Sequence, residues 1–526
     1  MKHRAIALAL GLAFNVGTEA ASLSMKLVGR HHTGIYNEGA AEIVTYDADT
    51  RRLFKVNAKA AMVEVLDIKN PAAPKPVGTI DSTALGGSAN SVAVRKGLVA
   101  VAIEAANKQE PGLVAFYQAA DLSLVGTVKV GALPDMVTFT PDGNYVLVAN
   151  EGEPNADYTV DPEGSVSIID LRRGVKKAVV RTADFTAYNG REAELRAQGI
   201  RIFGPNASAA QDLEPEYITT IDSRHAWVSL QEANALALID IRNARVLELQ
   251  PLGSKDHTTP GNALDASDKD GGVNIANWPV KGLYMPDSIS SFGYRGDTFI
   301  VTANEGDSRD YDGYSEEARI KDLTLDPVAF PDAATLQADA ALGRLKTTLA
   351  SGDTDGDGDF DQIYSFGARS FSIRNARGGL VYDSGADFEN ITAARFPDNF
   401  NSNHEENDTL DNRSDDKGPE PEGIALGEIQ GHTYAFVGLE RMGGIMVYDV
   451  TNPYQVSFVD YFNPRNFAVE TLQADGTTNR AAGDLGPEGL TFIPANKSPN
   501  RKPLLVVGNE VSGTTSIYRL SVTPDK

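Results

Sequence analysis

The sequence lacks cysteine altogether, and its positive charges are outnumbered. Without thiols, neither disulfide bonds nor thiol catalysis is available. The 48 lysines and arginines face 72 aspartates and glutamates, which gives a formal net charge of −24. Such a surface repels phosphate backbones and anionic membranes. We therefore expect no nucleic-acid partner, and we look instead to cations, small molecules or extracellular ligands.

Long apolar runs are missing beyond the first residues. Residues 1–21 combine a basic start, an apolar stretch and a zone of small residues, which is the pattern of a secretory signal peptide. No later stretch approaches the roughly 18 apolar residues that a membrane-spanning helix needs. We expect a secreted or periplasmic monomer without membrane insertion. The C-terminus carries no recognisable anchor, so we expect a freely soluble form.

Familiar catalytic motifs are absent as well. The sequence has no H-E-x-x-H, G-x-S-x-G or G-x-x-x-x-G-K-[ST] pattern. This argues against zincin proteases, α/β-hydrolases and P-loop enzymes.

An internal repeat is present instead. Each copy begins with a polar or acidic residue, continues through an alternating strand, a turn and two further strands, and often adds a fourth strand. The copies begin at Glu42, Asn90, Asp135, Glu216, Asp287, Glu422 and Glu488. Repeated four-strand units predict an all-β fold, a seven-bladed β-propeller over residues 22–526. A pair of β-sandwiches is the alternative.

Two segments complete this assignment. The last copy ends after its third strand, and residues 24–34 resemble the missing outer strand, so an N-terminal strand should close the ring. Residues 368–385 resemble the outer half of a unit. Residues 305–364 then form a long insertion between the second and third strands of the fifth unit. We expect a helix over 333–350 within this insertion.

The long loops and the acidic residues should share one face of the propeller. The acids that open the repeats would meet there with those that end the second strands. Such crowded carboxylates repel one another unless they are protonated or neutralised, and hard oxygen ligands favour Ca²⁺ or Mg²⁺. The predicted metal ligands are Glu42, Asp135, Glu216, Asp287, Glu305, Glu422 and Glu488. Capping of loop amides is the alternative role.

A second candidate cation site lies inside the insertion. Residues 353–361 read DTDGDGDFD, whose start resembles an EF-hand loop, but Tyr364 stands where the bidentate glutamate belongs. We interpret the segment as a calcium loop outside a true EF-hand that orders the insertion, so that more than one Ca²⁺ is expected. A solvated acidic loop is the alternative. Its predicted ligands are Asp353, Asp355, Asp357, Asp359 and Asp361.

Several segments together resemble a known family. They include PDMVTFTPDGNYVLVANEGEPN, DLEPEYI, TANEGDSRDY, GPEPEGI and LGPEGL. They are similar to the choice-of-anchor I proteins, which are related to mesenchyme-specific cell-surface glycoprotein. The resemblance covers nearly the whole mature chain. It implies a β-propeller similar to that of propeller phytases and, because some members are labelled alkaline phosphatases, a hydrolase activity.

Two functions follow as hypotheses. In the first, a calcium-dependent phosphoesterase, Glu422 and Glu488 hold Ca²⁺ that activates water, and Arg309 or Arg441 binds a small phosphorylated substrate. Ion pairing with nearby acids is the alternative for both arginines. In the second, the protein is a non-enzymatic extracellular or surface binding protein whose calcium is structural.

Overall fold

The structure is a computed structural model that describes residues 22–523. The predicted signal peptide, residues 1–21, lies outside this range. Among the described residues, no helix has the length and apolar character needed to cross a bilayer. Strands dominate, so the all-β expectation is confirmed.

The described residues contain seven four-stranded antiparallel sheets. The N-terminal strand β1 (Ser22–His32) precedes them in the chain. Sheet 1 comprises β2 (Val44–Asp47), β3 (Arg52–Asn57), β4 (Met62–Asp67) and β5 (Lys75–Asp81). Sheet 2 comprises β6 (Ala89–Arg95), β7 (Leu98–Ile103), β8 (Pro111–Gln118) and β9 (Leu124–Ala132). Sheet 3 comprises β10 (Pro134–Phe139), β11 (Tyr145–Asn150), β12 (Ser165–Asp170) and β13 (Val179–Asp184).

Sheets 4 and 5 are accompanied by short strands of the long connections. Sheet 4 comprises β14 (Ile218–Thr219), β15 (His225–Leu230), β16 (Ala235–Asp240) and β17 (Arg245–Pro251). The connection after it holds β18 (Ser254–Asp256) and β19 (Lys281–Leu283). Sheet 5 begins with β20 (Ile289–Tyr294) and β21 (Asp297–Asn304), and it ends with β27 (Ser370–Asn375) and β28 (Leu380–Asp383). Between them lie β22 (Asp310–Tyr311), β23 (Tyr314–Ser315), β24 (Glu317–Arg319), β25 (Lys346–Thr348) and β26 (Tyr364–Ser365).

The last two sheets complete the chain. Sheet 6 comprises β29 (Pro421–Ile429), β30 (His432–Leu439), β31 (Ile445–Asp449) and β32 (Ser457–Phe462). Sheet 7 comprises β33 (Pro487–Ile493), β34 (Leu504–Asn509), β35 (Thr514–Thr523) and β1 as its outer strand. The helices are short and lie in connections: α1 (Glu192–Ala197), α2 (Ala209–Asp212), α3 (Ala333–Leu336) and α4 (Asp387–Arg395).

Neighbouring sheets are joined by apolar layers. Strand residues alternate between two faces, and the buried ones pack against the next sheet. The layer between sheets 7 and 1 contains Ile493, Leu504 and Ile517 on one side and Val44 and Leu53 on the other. The first strands of successive sheets also contact one another in order, from β2 through β33 and back to β2. The first strands are therefore neighbours around a common centre.

Sheet 7 is made from both ends of the described chain. Strand β1 pairs antiparallel with β35 in a register that matches Leu23 with Val522 and His32 with Thr514. The register shifts between Leu27 and Gly29. As the outer strand of sheet 7, β1 occupies the place that the sequence pattern predicted for the missing strand.

The insertion in sheet 5 is mostly irregular. It connects β21 to β27, which pair directly with each other. The helix expected over 333–350 is wrong. Only the single turn of α3 is helical there, and β25 occupies part of the remainder. The apolar residues of this stretch, such as Leu336, Leu342 and Leu345, pack into one small core with Ile320 and Ile363, so tertiary contacts decide its conformation.

The β1 segment offers a test of this closure. A methyl group added at Gly29 would lie 1.9 Å from the carbonyl oxygen of Pro71, so Gly29→Ala must displace β1 from sheet 1. We expect it to lower the free energy of unfolding by about 1–3 kcal/mol in denaturant titrations. Gly293→Ala, in β20, is the matched control, because the nearest atom to the added methyl group is the carbonyl oxygen of Asp297, 3.9 Å away. Equal stability of the two variants would contradict this packing.

Candidate functional site

The residues that open the repeats are placed by the way the first strands begin. In β6, β10, β29 and β33 the pairing with the second strand is interrupted after the first residue. The first residue of the interruption is Asn90, Asp135, Glu422 or Glu488, and in β29 and β33 a glycine follows it within the interruption. A preceding proline cannot donate a ladder hydrogen bond, and a bulge changes the direction of a side chain. Three of the four bulges follow such a proline, and they turn the acids away from the sheet ladder.

These side chains meet around one cavity. It has a volume of about 330 Å³ and lies where the first strands come together. We call it the central cavity. Its lining includes the side chains of Glu42, Asn90, Asp135, Asp287, Glu422 and Glu488. Six of the seven repeat-opening residues therefore share this space, as the sequence analysis expected.

The seventh member of the predicted ring, Glu216, lies outside the cavity lining. Its neighbour Tyr217 lines the cavity instead. The Glu216 carboxyl group is buried and hydrogen-bonds the carboxyl group of Glu232. Burial and repulsion from Glu232 raise the pKa of Glu216 well above its ordinary value.

The cavity carboxyl groups hold their protons unusually tightly. Burial, with the charge of Asp135, raises the pKa of Glu42 to about 8. Burial, with repulsion from nearby glutamates, raises the pKa of Asp135 to about 7. The same two causes raise the pKa values of Asp287, Glu422 and Glu488 well above normal. Without a cation, the ionised forms of these groups are unfavourable.

Two carboxylate oxygens at this cavity lack a partner. Oε2 of Glu422 and Oε2 of Glu488 are shielded from water and accept no hydrogen bond. A buried acceptor without a partner costs free energy, and a small cation between the two side chains would satisfy both. Among the described residues, however, the ring acids do not form a group of three whose ligand atoms lie within 4.8 Å. The ring would have to contract around an ion.

Tighter groups surround the ring. The carboxylates of Glu305, Glu420 and Glu440 form one group, and His404, Glu440 and Glu510 form another. Nδ1 of His404 lies 3.0 Å from Glu440 and 3.8 Å from Glu510. Burial and the nearby charge of Glu440 raise the pKa of Glu510 to about 9.

The first of these groups already has internal counterions. Nζ of Lys417 lies 2.6 Å from Oε1 of Glu305 and 3.1 Å from Oε1 of Glu420. Arg413 and Arg441 also pair with Glu420. Although burial opposes it, these charges hold the pKa of Glu420 well below its ordinary value. Glu305, a predicted metal ligand, is thus bound to a lysine.

Both predicted phosphate-binding arginines form ion pairs. Arg309 is 1% exposed and pairs with Asp212 and Glu214. Arg441 pairs with Glu420 and Glu440 and contacts the ring of His404. This geometry favours the ion-pair role for both side chains.

The aspartate loop divides its side chains between two groups. Asp353, Asp355 and Asp357 form an exposed group, while Asp359 and Asp361 join Asp326 from outside the loop. Asp353 accepts hydrogen bonds from the backbone of Gly356 and Gly358. The loop therefore presents two neighbouring clusters of oxygen ligands, where the sequence predicted one.

Several residues of the site were not foreseen: Asp212, Glu214, His404, Arg413, Lys417 and Glu420. A signal for two of them exists in the repeated motif Glu-Pro-Glu, at 214–216 and 420–422. In both copies the first glutamate pairs with a buried or half-buried arginine. The second glutamate lines the central cavity only in the later copy, as Glu422. His404 and Lys417 lie in an irregular connection, and no motif marks them.

Comparison with known proteins now bears on these features. The model of the choice-of-anchor I domain matches residues 42–453. The chain belongs to the choice-of-anchor I family. Gigasin-3a of Magallana gigas is 31% identical, in a match that spans 35% of this chain and 67% of that protein. The mesenchyme-specific cell surface glycoprotein of Strongylocentrotus purpuratus is 27% identical across 65% of this chain, which spans only 49% of the glycoprotein.

Among solved structures, the Swd1 β-propeller domain from Myceliophteria thermophila aligns with 94% of this chain and 100% of its own, at 9% identity and a TM-score of 0.44. The match of the domain model to residues 42–453 confirms the family membership expected from the motifs.

The raised pKa values predict an unusual dependence of stability on pH. Between about pH 5 and pH 9 the folded protein keeps protons, on groups such as Glu42, Asp135 and Glu510, that the unfolded chain has released. The contribution of these protons to the free energy of unfolding is therefore fully present below about pH 4 to 5. It is lost as the pH rises through the pKa values that the groups have in the folded protein. We expect the unfolding midpoint of chelator-treated protein to fall across this window.

Matched variants distinguish the contribution of the central cavity to this pH dependence from that of exposed surface carboxylates. Replacing Glu422 and Glu488 together by glutamine should flatten the pH profile, whereas Glu428→Gln, at an exposed position of β29, should leave it unchanged. A midpoint that rises with pH in all three proteins would refute the assignment.

Proposed function

We propose that this chain is an extracellular or surface-located seven-bladed β-propeller that binds divalent cations at its acidic centre. The seven four-stranded sheets, the cyclic contacts of their first strands and the joint sheet of β1 and β35 support the propeller. Membership of a family with a cell surface glycoprotein, together with the predicted signal peptide, supports the location.

The central cavity carries the proposal of cation binding. Five carboxylates face one space, their protonated forms are favoured by burial and repulsion, and two of their oxygens have no partner. A hard divalent cation, Ca²⁺ in the first place, would replace the protons and bind these oxygens. Glu42, Asp135, Asp287, Glu422 and Glu488 would hold it, and the aspartate loop would hold a separate ion.

Calcium titration tests this proposal directly. Chelator-treated protein should bind Ca²⁺ in calorimetry and gain about 2.7 kcal/mol of stability at a calcium concentration 100 times the Kd. The double variant Glu422→Gln with Glu488→Gln should lose the cavity ion. The double variant Asp355→Asn with Asp357→Asn should lose only the loop ion, and Glu428→Gln should bind like the parent. Unchanged binding in the cavity variant would refute the cavity site.

A calcium-dependent phosphoesterase is the second candidate. It is favoured by a cavity that has room for a phosphate group beside the carboxylates that would hold the metal. Because Arg309 and Arg441 are engaged with internal acids, the bound cation would have to attract the phosphate of the substrate. It would also polarise the phosphoryl oxygen and activate water.

An activity assay distinguishes the two candidates. If the protein is a phosphoesterase, purified protein should hydrolyse para-nitrophenyl phosphate with Ca²⁺, lose this activity in chelator, and lose at least about 100-fold in kcat/KM in the Glu422→Gln, Glu488→Gln variant. Glu428→Gln should be fully active. If the parent has no activity, or if the cavity variant keeps it, the phosphoesterase is contradicted and the non-enzymatic binding protein is the remaining candidate.

A further inference from the structure

A second cavity lies away from the centre, beside the inserted segment. It has a volume of about 330 Å³, which is the lower end of the range for small-molecule sites. Its lining comes from the connection at 196–203, from Asn234, from the start of β18 with Leu283 of β19, and from the insertion at 350–364. We call it the insertion pocket. None of the residues that line the central cavity lines the insertion pocket.

The insertion pocket has an available positive charge. Arg196, on α1, lines it and is exposed. Its Nη1 donates one hydrogen bond, 3.0 Å long, to the backbone oxygen of Ile202. Within residues 22–523 its guanidinium has no carboxylate partner within 4.0 Å, whereas Arg309 and Arg441 each have two. In a chain with a net charge of −24, an unpaired guanidinium at a pocket points to an anionic ligand.

Hydroxyl groups and an aromatic ring line the same pocket as this charge. The side chains of Ser254 and Ser351 line the pocket and, in the part of the chain that is described, make no side-chain hydrogen bond. The half-buried ring of Tyr364 forms another wall, and the buried Ile202 and Leu283 form apolar surface. Unused hydroxyls suit a ligand with several hydroxyl groups, while the ring and aliphatic surface suit its C–H faces.

One class of ligand combines these properties. We infer that the insertion pocket binds a uronic acid unit of an acidic saccharide. The planar carboxylate of the sugar would accept two parallel hydrogen bonds from Arg196, its hydroxyls would bond to Ser254 and Ser351, and its apolar face would pack on Tyr364. This inference deepens the extracellular binding role proposed above.

The pocket wall is also tied to the aspartate loop. Thr354, which lines the pocket, donates from its backbone N and its Oγ1 to Oδ2 of Asp361, at 2.8 and 2.6 Å. Asp361 belongs to the group with Asp326 and Asp359. A cation held by that group would fix Thr354, so calcium and saccharide should strengthen each other's binding.

Calorimetric titrations with three probes test the assignment: glucuronate, glucose as its neutral match, and polygalacturonate as a polymer. Both acidic probes should bind in the presence of Ca²⁺, and glucose should bind at least about tenfold more weakly. Arg196→Gln should weaken glucuronate by about tenfold and leave glucose unchanged. Arg191→Gln, on the residue that caps the same helix and pairs with Glu194, is the matched control.

A second variant distinguishes loss of binding from loss of folding. Ser351→Trp, at a half-buried position of the pocket lining, should block both acidic probes while the thermal unfolding midpoint stays that of the parent. The inference is overturned if glucuronate and polygalacturonate fail to bind the parent protein, if glucose binds equally well, or if both variants bind like the parent. The cavity variant with Glu422→Gln and Glu488→Gln should still bind glucuronate. Failure of the saccharide inference and failure of the central cation site can therefore be told apart. Binding of polygalacturonate without binding of glucuronate would also contradict the inference, because the polymer would then bind elsewhere on the surface.

Discussion

Apolar packing between neighbouring sheets is the interaction on which the other features depend. Each sheet buries branched residues against the next, and the layer formed by Ile493, Leu504 and Val44 joins the last sheet to the first. This packing holds the starts of the first strands together. Carboxylates that would separate in a free chain are thereby kept around one small space. Hydrophobic burial thus supplies the free energy that offsets their repulsion.

The acidic centre is stabilised in two different ways. At its edge, internal cations neutralise the acids, as Lys417 does for Glu305 and Arg309 does for Glu214. At its middle, the carboxyls of Glu422 and Glu488 face the cavity without such partners. Breaking a buried ion pair is strongly destabilising, so the edge is a fixed frame. In the cation-binding function proposed above, the middle would exchange its protons for an ion and contract around it, while the paired acids of the edge stay in place.

The repeat could be recognised because alternating strands recur in each unit and a proline precedes the opening acid in five of the seven units. The sheets, the outer position of β1 and most of the cavity lining could therefore be predicted. The position of Glu216 outside the lining could not, since it depends on the short strand β14 and on the contact with Glu232. The counterions Lys417 and Arg413 come from an irregular connection without periodicity. The helix expected over 333–350 failed because leucines with helical spacing serve a local core in another conformation.

The pairing of β1 with β35 also bears on how the molecule forms. These strands lie almost 500 residues apart in sequence, as the partners Leu23 and Val522 illustrate. A contact of such separation is slow to make, because a long loop must close before any hydrogen bond forms. Until then sheet 7 has an open edge, and open edges invite pairing with other chains. Joining the two ends of the described chain is thus the step that gives sheet 7 its fourth strand and covers the edge of β35.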